Sequence, residues 1–145
     1  MSPASAASPA PTRMEPAVTD GAEAFWDATR RRQLVLPWCS SCQQPFWYPR
    51  PACPRCLGSD IEWRSASGRG EVYAVTVVHR AQNPLMADRA PYPVALIDLE
   101  EGVRVMSNVV GVEAADVQIG QPVQTTWEEL SDGRNLLLFE PVASP

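Results

Sequence analysis

The chain has 145 residues, 45% of them hydrophobic, and a formal net charge of -5. All twelve basic residues are arginine and lysine is absent, which excludes chemistry that needs a Schiff-base or phosphate-loop lysine. An acidic chain also disfavours general nucleic-acid binding, because that affinity comes from neutralising phosphates. No apolar run approaches the roughly 18 residues that cross a bilayer. The length suits one domain, or a small metal module joined to a compact barrel.

The chain begins with a segment that predicts disorder and then a helix. Residues 1–18 are rich in Pro, Ala and Ser without a periodic apolar pattern, so we expect a disordered tail. Asp20 and Glu23 then have the spacing of a capping box, and good helix formers continue without proline. The sequence therefore predicts a helix over residues 21–33.

One face of the predicted helix carries Phe25, Trp26 and Thr29. A helix this short is not stable alone and must dock on the chain's own body or on another subunit. We expect Phe25 and Trp26 to be buried against a partner. The arginine run that follows, residues 30–32, places cations at the negative end of the helix dipole. The arginine run is either a solvated last turn of the helix or a contact for an anion or a partner.

Four cysteines form the motif around which the chain is organised. Cys39 and Cys42 make one Cys-x-x-Cys pair, and Cys53 and Cys56 make a second pair ten residues later. Each turn directs two thiolates to one point, so two turns brought together complete a tetrahedron around zinc. Because all four thiolates are used as ligands, the predicted zinc is structural. Two disulfides, a redox Cys-x-x-Cys and an iron centre of the rubredoxin type are the alternatives.

The disulfide alternative also bears on the compartment. Four cysteines paired so locally would close very small loops, and no secretory signal is visible before them. Reduced thiols predict a cytoplasmic protein. The first turn lacks the glycine that zinc knuckles use for a positive φ, so Gln43 or Gln44 is expected to adopt that conformation.

From residue 65 onward the pattern has a period of two. The segment Ser65 to Gly70 predicts a flexible connector, which divides a helix and zinc ribbon at residues 19–64 from a second module at residues 65–145. Five short strands joined by turns and one long loop, without a long helix, predict a closed five-stranded OB-fold barrel in a mainly β protein. The five strands are predicted at residues 70–79, 92–99, 103–110, 122–129 and 136–141.

Over residues 21–141 the sequence resembles the acyl-CoA-associated zinc-ribbon OB-fold family, which is domain of unknown function family thirty-five. Members of that family have a helical lead-in, a rubredoxin-like zinc ribbon and an OB-fold barrel. The resemblance depends on these segments: Phe25-Trp26, Cys39-x-x-Cys42, Pro49-Arg50-Pro51, Cys53-Pro54-x-Cys56, Ser67-Gly68-Arg69-Gly70, Ala90-Pro91-Tyr92, Val94 to Leu99, Glu101-Gly102, and Val105 to Gly111 with Ser107-Asn108.

The resemblance implies a non-catalytic subunit of an acyl-CoA-processing complex. Its partner would be a thiolase-superfamily enzyme: a thiolase, an acyltransferase or the aldolase that shortens steroid side chains. The barrel would dock this partner or contact a coenzyme A thioester. The candidate coenzyme A contacts are Arg69, His79, Arg80, Arg89 and Asn108. The three arginines carry guanidinium groups, whose geometry suits phosphates.

Two other functions are compatible with these residues. A zinc-ribbon OB-fold protein could bind nucleic acid by stacking bases on its tryptophans. An autonomous enzyme would depend on His79, the only histidine, as a lone general base. A surface histidine without a ligand is the simpler interpretation of His79, and surface ion pairs equally explain the arginines.

Overall fold

The structure is a computed structural model, and it describes residues 11–143. The first module begins with helix α1 (Glu23–Thr29), which is followed by a three-stranded antiparallel sheet in the order β2-β1-β3. Strand β1 is the centre of that sheet and carries the first metal-ligand candidate at its end. The strands are β1 (Val35–Cys39), β2 (Gln44–Pro45) and β3 (Ile61–Ser65).

The second sheet has five antiparallel strands in the order β6-β5-β4-β7-β8. Its elements are β4 (Arg69–Val78), α2 (Pro84–Ala87), β5 (Tyr92–Leu99), β6 (Arg104–Ser107), a 3-10 turn (Ala114–Asp116), β7 (Pro122–Glu129) and β8 (Asn135–Pro141). All five predicted barrel strands are confirmed, and the strand over residues 92–99 has the predicted bounds. The third strand ends three residues early, because the chain leaves the edge of the sheet after Ser107 to bridge to β8.

The sheet curls into an OB-fold half-barrel around an apolar centre. Residues of β5 alternate strictly between half-buried and buried, as a strand with one face in a core requires. Val109 forms a parallel bridge with Phe139, whose N–H donates to the Asn108 carbonyl at 3.0 Å. The sequence predicts a closed barrel. In the structure the two outer strands of the sheet, β6 and β8, are joined by this short bridge after β6 and not by a continuous ladder of hydrogen bonds.

Helix α1 is shorter than predicted at both ends. Gly21 has φ +85° and approaches the ribbon so closely that a Cβ there would lie 2.7 Å from the Arg50 carbonyl carbon, so it belongs to a tertiary contact and not to a helix. The cap position is Ala22, without a side-chain hydrogen bond, so the predicted capping box is wrong. At the other end Arg32 has φ +55°, which ends the helix and turns the chain toward β1.

The apolar face of α1 packs inside the chain itself. Phe25 is only 6% exposed and its ring lies 5.3 Å from that of Trp47 in the ribbon. Thr29 is fully buried, and Asn135 at the start of β8 donates to it through its backbone N–H and its side chain, at 3.2 and 2.9 Å. The expected burial of Phe25 and Trp26 against a partner is therefore wrong. The helix instead contacts the ribbon through Phe25 and the barrel through Thr29, and so connects the two modules.

The predicted tail at residues 1–18 lies partly outside the described residues, because the structure describes only residues from 11 onward. Part of the remainder contacts the barrel, and the disorder of the tail stays a prediction. Arg13 is 8% exposed and pairs with Glu128 on β7. Glu15 accepts hydrogen bonds from the backbone N–H and the hydroxyl of Ser131, both at 2.7 Å. Charged side chains thus attach this segment to the barrel.

Within residues 11–143, no helix is both long and apolar enough to cross a membrane.

Candidate functional site

Two equivalent turns position the four cysteines. The N–H of Gln43 donates to the Cys39 carbonyl at 2.8 Å, and the N–H of Leu57 donates to the Cys53 carbonyl at the same distance. Each donor residue has a positive φ, +56° for Gln43 and +62° for Leu57. Positive φ is confirmed at Gln43 and not at Gln44. The repeated turn gives both Cys-x-x-Cys pairs the same backbone form.

The four sulfur atoms converge on one point. All lie within 4.8 Å of one another, with the Sγ atoms of Cys39 and Cys56 at 3.6 Å and those of Cys42 and Cys53 at 3.9 Å. Disulfide sulfurs would be about 2.05 Å apart, and all four cysteines are free, so the disulfide alternative is wrong. A zinc tetrahedron with Zn–S bonds of about 2.3 Å places its sulfurs about 3.8 Å apart. The observed spacing matches that value.

Backbone N–H groups point at the sulfurs and favour thiolates. Cys42 donates to the Sγ of Cys39, Arg55 to that of Cys53 and Gly58 to that of Cys56, each at 3.4 Å. Backbone hydrogen bonds from Cys56 and Arg55 lower the pKa of Cys53 to about 6, against the effect of burial. Donors of this kind orient metal ligands and stabilise their charge. The four residues therefore fit a structural zinc ion with no open coordination position.

The structure does not bring the five candidate coenzyme A contacts together. Arg69 pairs with Glu100 at 3.2 Å and lines a cavity of about 460 Å³ between β4, β5 and β7. Arg89 and Asn108 line a separate pocket of about 260 Å³. His79 and Arg80 are exposed and line neither. Arg69 is the first residue of β4, whereas Arg80 and Arg89 lie in the loop that follows the other end of that strand.

The smaller pocket contains residues that the sequence did not single out. We call it the Glu128 pocket, and its lining includes Arg13, Arg89, Tyr92, Asn108, Glu128 and Leu138. The Glu128 carboxylate forms ion pairs with two guanidinium groups, that of Arg13 and that of Arg89, the latter at 2.8 Å. Burial alone would raise the pKa of Glu128, but the hydrogen bonds from Arg13 and Arg89 outweigh burial and hold it below its usual value.

A second, mostly apolar concavity lies where helix, ribbon and barrel meet. We call it the Met106 groove; it has a volume of about 280 Å³, and its lining includes Phe25, Trp26, Trp47, Tyr48, Met106 and Leu137. Tyr48 and Met106 are 52% and 59% exposed at its rim. Buried side chains of α1 and β8 form its floor, and Pro16, Ala17 and Thr19 of the N-terminal segment also line it.

Most of the tryptophans are packed within the molecule and do not form a stacking surface. Trp26 lies under the Arg134 guanidinium at 4.6 Å, and Trp38 under that of Arg64 at 4.0 Å. Trp47 and Trp63 pack against the main core. This confirms that the ribbon aromatics serve packing.

Family models match the chain in two consecutive parts. Residues 26–62 match the ChsH2 rubredoxin-like zinc ribbon domain, and residues 63–128 match the ChsH2 C-terminal OB-fold domain. The chain belongs to the ChsH2 family. The sequence-based assignment to a zinc-ribbon OB-fold family is therefore confirmed.

Relatives of this ChsH2-family chain carry two kinds of name. A probable enoyl-CoA hydratase alpha subunit of Thermomonospora curvata is 37% identical over 92% of this chain, which spans only 41% of that relative's length. A DUF35 domain-containing scaffold protein of Methanocaldococcus jannaschii is 34% identical over 68% of this chain and 70% of its own length. The DUF35 scaffold relative is thus matched over most of its length.

A solved structure supports the same relationship. The Ltp2-ChsH2(DUF35) aldolase structure contains a chain that is 34% identical to this one and superposes with a TM-score of 0.79. The match covers 89% of this chain and 100% of that chain. The zinc ribbon and the half-barrel thus have the arrangement seen in a ChsH2 component of an aldolase.

Proposed function

We propose that this chain is a non-catalytic accessory subunit of an acyl-CoA-processing complex and that its partner is a thiolase-like enzyme. The partner would be a thiolase, an acyltransferase or an aldolase acting on steroid side chains. The similarity to a ChsH2 chain of an aldolase over 100% of that chain's length is the observation that carries the proposal.

The chemistry of the described residues agrees with an accessory role. The four cysteines are spaced to occupy all positions of a zinc tetrahedron, so none is left as a nucleophile. His79 is exposed at the end of β4 and lines neither pocket in which a substrate could be held. A nucleophile with an adjacent base, which an acyl-transfer enzyme requires, is expected from the partner.

The Met106 groove is the docking surface that we propose for the partner. Its floor includes the buried side chains of Phe25, Trp26 and Leu137, and the apolar side chains of Tyr48 and Met106 are exposed at its rim. Aromatic and methionine side chains of this kind are enriched at protein interfaces. Met106 also lies on β6, the edge strand of the larger sheet, which adds an unpaired strand edge to the same surface.

Binding between the purified chain and a thiolase-like protein from the same host tests this proposal. A Met106→Asp variant places a charge on the proposed surface, and we expect binding to weaken at least about tenfold, as at an interface hot spot. Ile119→Asp is the matched control, because Ile119 is 71% exposed and lies outside the groove. Equal affinity for both variants would remove the groove from the proposal. Failure of the unaltered chain to bind would remove the partner.

The second part of the proposal is that this chain contacts the coenzyme A thioester. Of the five candidate residues, Arg89 and Asn108 share the Glu128 pocket, and their neighbours Tyr92 and Leu138 add apolar surface. We expect the isolated chain to turn over no acyl-CoA thioester. Turnover that is lost in His79→Ala would instead identify an autonomous enzyme.

A nucleic-acid-binding role has less support than the accessory role. Trp26, Trp38 and Trp47 are packed against neighbouring side chains, whereas stacking platforms present their rings to the bases. The chain also carries a net charge of -5. Salt-dependent affinity for single-stranded DNA or RNA would favour this role instead.

A further inference from the structure

The attachment of residues 11–15 to the barrel depends on side chains. Arg13 pairs with Glu128 on β7, and the Glu15 carboxylate accepts two hydrogen bonds from Ser131 in the turn between β7 and β8. No backbone-to-backbone hydrogen bond joins residues 11–18 to the barrel in the described part of the chain. We call residues 11–15 the strap. Asn83 also donates to the Met14 sulfur at 3.6 Å. The two charged side chains make the shorter contacts, so we expect the attachment to be sensitive to substitution of either one.

The strap changes the charge of the Glu128 pocket. Without the strap, Arg89 and Glu128 neutralise each other at 2.8 Å. With the strap attached, two guanidinium groups face one carboxylate and the pocket carries one uncompensated positive charge. A pocket that has an excess guanidinium and limited access to water favours an anion.

Arg13 is itself incompletely paired. It is 8% exposed, yet its Nε has no hydrogen-bond partner among the described residues. A buried charged donor left without an acceptor is costly. Because Nε is closed to solvent, a ligand in the pocket would contact Arg13 through the other nitrogens of its guanidinium and not through Nε.

We propose that the Glu128 pocket is a binding site for a phosphate-bearing ligand and that the strap completes it by supplying Arg13. The choice of phosphate over carboxylate rests on the proposed function, since coenzyme A carries phosphate groups. Arg13 and Arg89 hold the phosphate, and Met86, Val110 and Leu138 contact its apolar substituent. Ligand binding and strap attachment therefore favour each other.

The test compares two variants that change the net charge equally. Glu15→Ala removes one attachment of the strap without altering the side chains of Arg13, Arg89 and Glu128 themselves. Glu129→Ala removes the same charge from an exposed residue on β7 that does not line the pocket. Isothermal titration with coenzyme A, inorganic phosphate and pyrophosphate measures affinity. We expect binding to weaken at least about tenfold in Glu15→Ala, a typical coupling between two sites, and to be unchanged in Glu129→Ala.

Substitution of the arginines checks the site directly. Arg13→Gln should weaken binding as strongly as Glu15→Ala does, whereas Arg64→Gln, at an exposed position of β3 outside the pocket, should not. The rate of tryptic cleavage after Arg13 reports strap attachment: it should rise in Glu15→Ala and fall when a ligand is bound. Thermal melts confirm that each variant is folded.

The three probes distinguish a site for free phosphate from a site for the phosphate groups of coenzyme A. Binding of all three probes assigns the site to phosphate itself, and binding of coenzyme A alone assigns it to the phosphates of that molecule; both support the proposal. The proposal would be overturned if no probe bound, or if Glu15→Ala and Glu129→Ala bound with equal affinity. It would also be overturned if Arg64→Gln weakened binding as much as Arg13→Gln does. Partner binding is measured separately, so a chain that binds coenzyme A through the strap but no partner would contradict only the proposed accessory function.

Discussion

Loss of one zinc ligand should unfold the ribbon. Cys56 is the exposed member of the four ligands, so Cys56→Ser removes a thiolate with little change in packing. The ribbon cluster contains one large fully buried side chain besides its cysteines, that of Phe46. Burying such a side chain contributes about 1.5–3 kcal/mol, whereas structural zinc contributes about 10–16 kcal/mol to folding. Metal binding therefore dominates the stability of residues 39–61.

Trypsin provides the assay, because Arg55 lies between the metal ligands. Its guanidinium donates two hydrogen bonds to the Pro45 carbonyl, both at 3.2 Å, which fixes it in the folded ribbon. We expect cleavage after Arg55 to be slow in the zinc-loaded chain and fast in Cys56→Ser or after chelation. Ser59→Ala is the control and should be cleaved as slowly as the unaltered chain. Equal cleavage rates for the chelated and zinc-loaded chains would refute the reasoning.

Three further substitutions test how the barrel is held together, each by chemical denaturation. Thr29→Val leaves a buried N–H of Asn135 without its acceptor, so the free energy of unfolding should fall by about 1–3 kcal/mol; no change would mean that this contact does not hold the helix. Gly70→Ala places a Cβ 2.5 Å from the Asp98 carbonyl oxygen, and we expect overpacking to lower the free energy of unfolding by about 1–3 kcal/mol. No change would indicate that β4 and β5 can move apart to accommodate the methyl group. Asn108→Ala removes a 2.7 Å hydrogen bond to the Pro93 carbonyl and should lower the free energy of unfolding by about 0.5–1.5 kcal/mol. Unchanged stability would mean that this bond does not hold the chain after β6 to β5.

The local features of this protein are readable from its sequence. Cysteine spacing alone identifies the metal ligands, since a Cys-x-x-Cys turn fixes both thiolates within a few residues. The alternation from Tyr92 to Leu99 predicts a strand with correct bounds, because one of its faces lies in the core. The positive φ of Gln43 follows from the form of the turn itself.

Features that depend on distant contacts were not predicted. The limits of α1 are set by the approach of Gly21 to the ribbon and by the backbone turn at Arg32. Arg13 and Glu128 are 115 residues apart in sequence, and Arg13 lies in a Pro- and Ala-rich stretch that resembles a disordered tail. Arg13 and Arg89 share a pocket although neither lies on a strand, and a strand pattern does not predict where such segments meet.

Native mass spectrometry of the tagged chain, purified from its own host, tests the accessory-subunit account most directly, because one spectrum reports both partner and metal. We predict a complex whose mass equals this chain, a thiolase-like protein and one zinc ion per copy of the chain. A metal-free mass, or a chain that is recovered only by itself, would contradict the account.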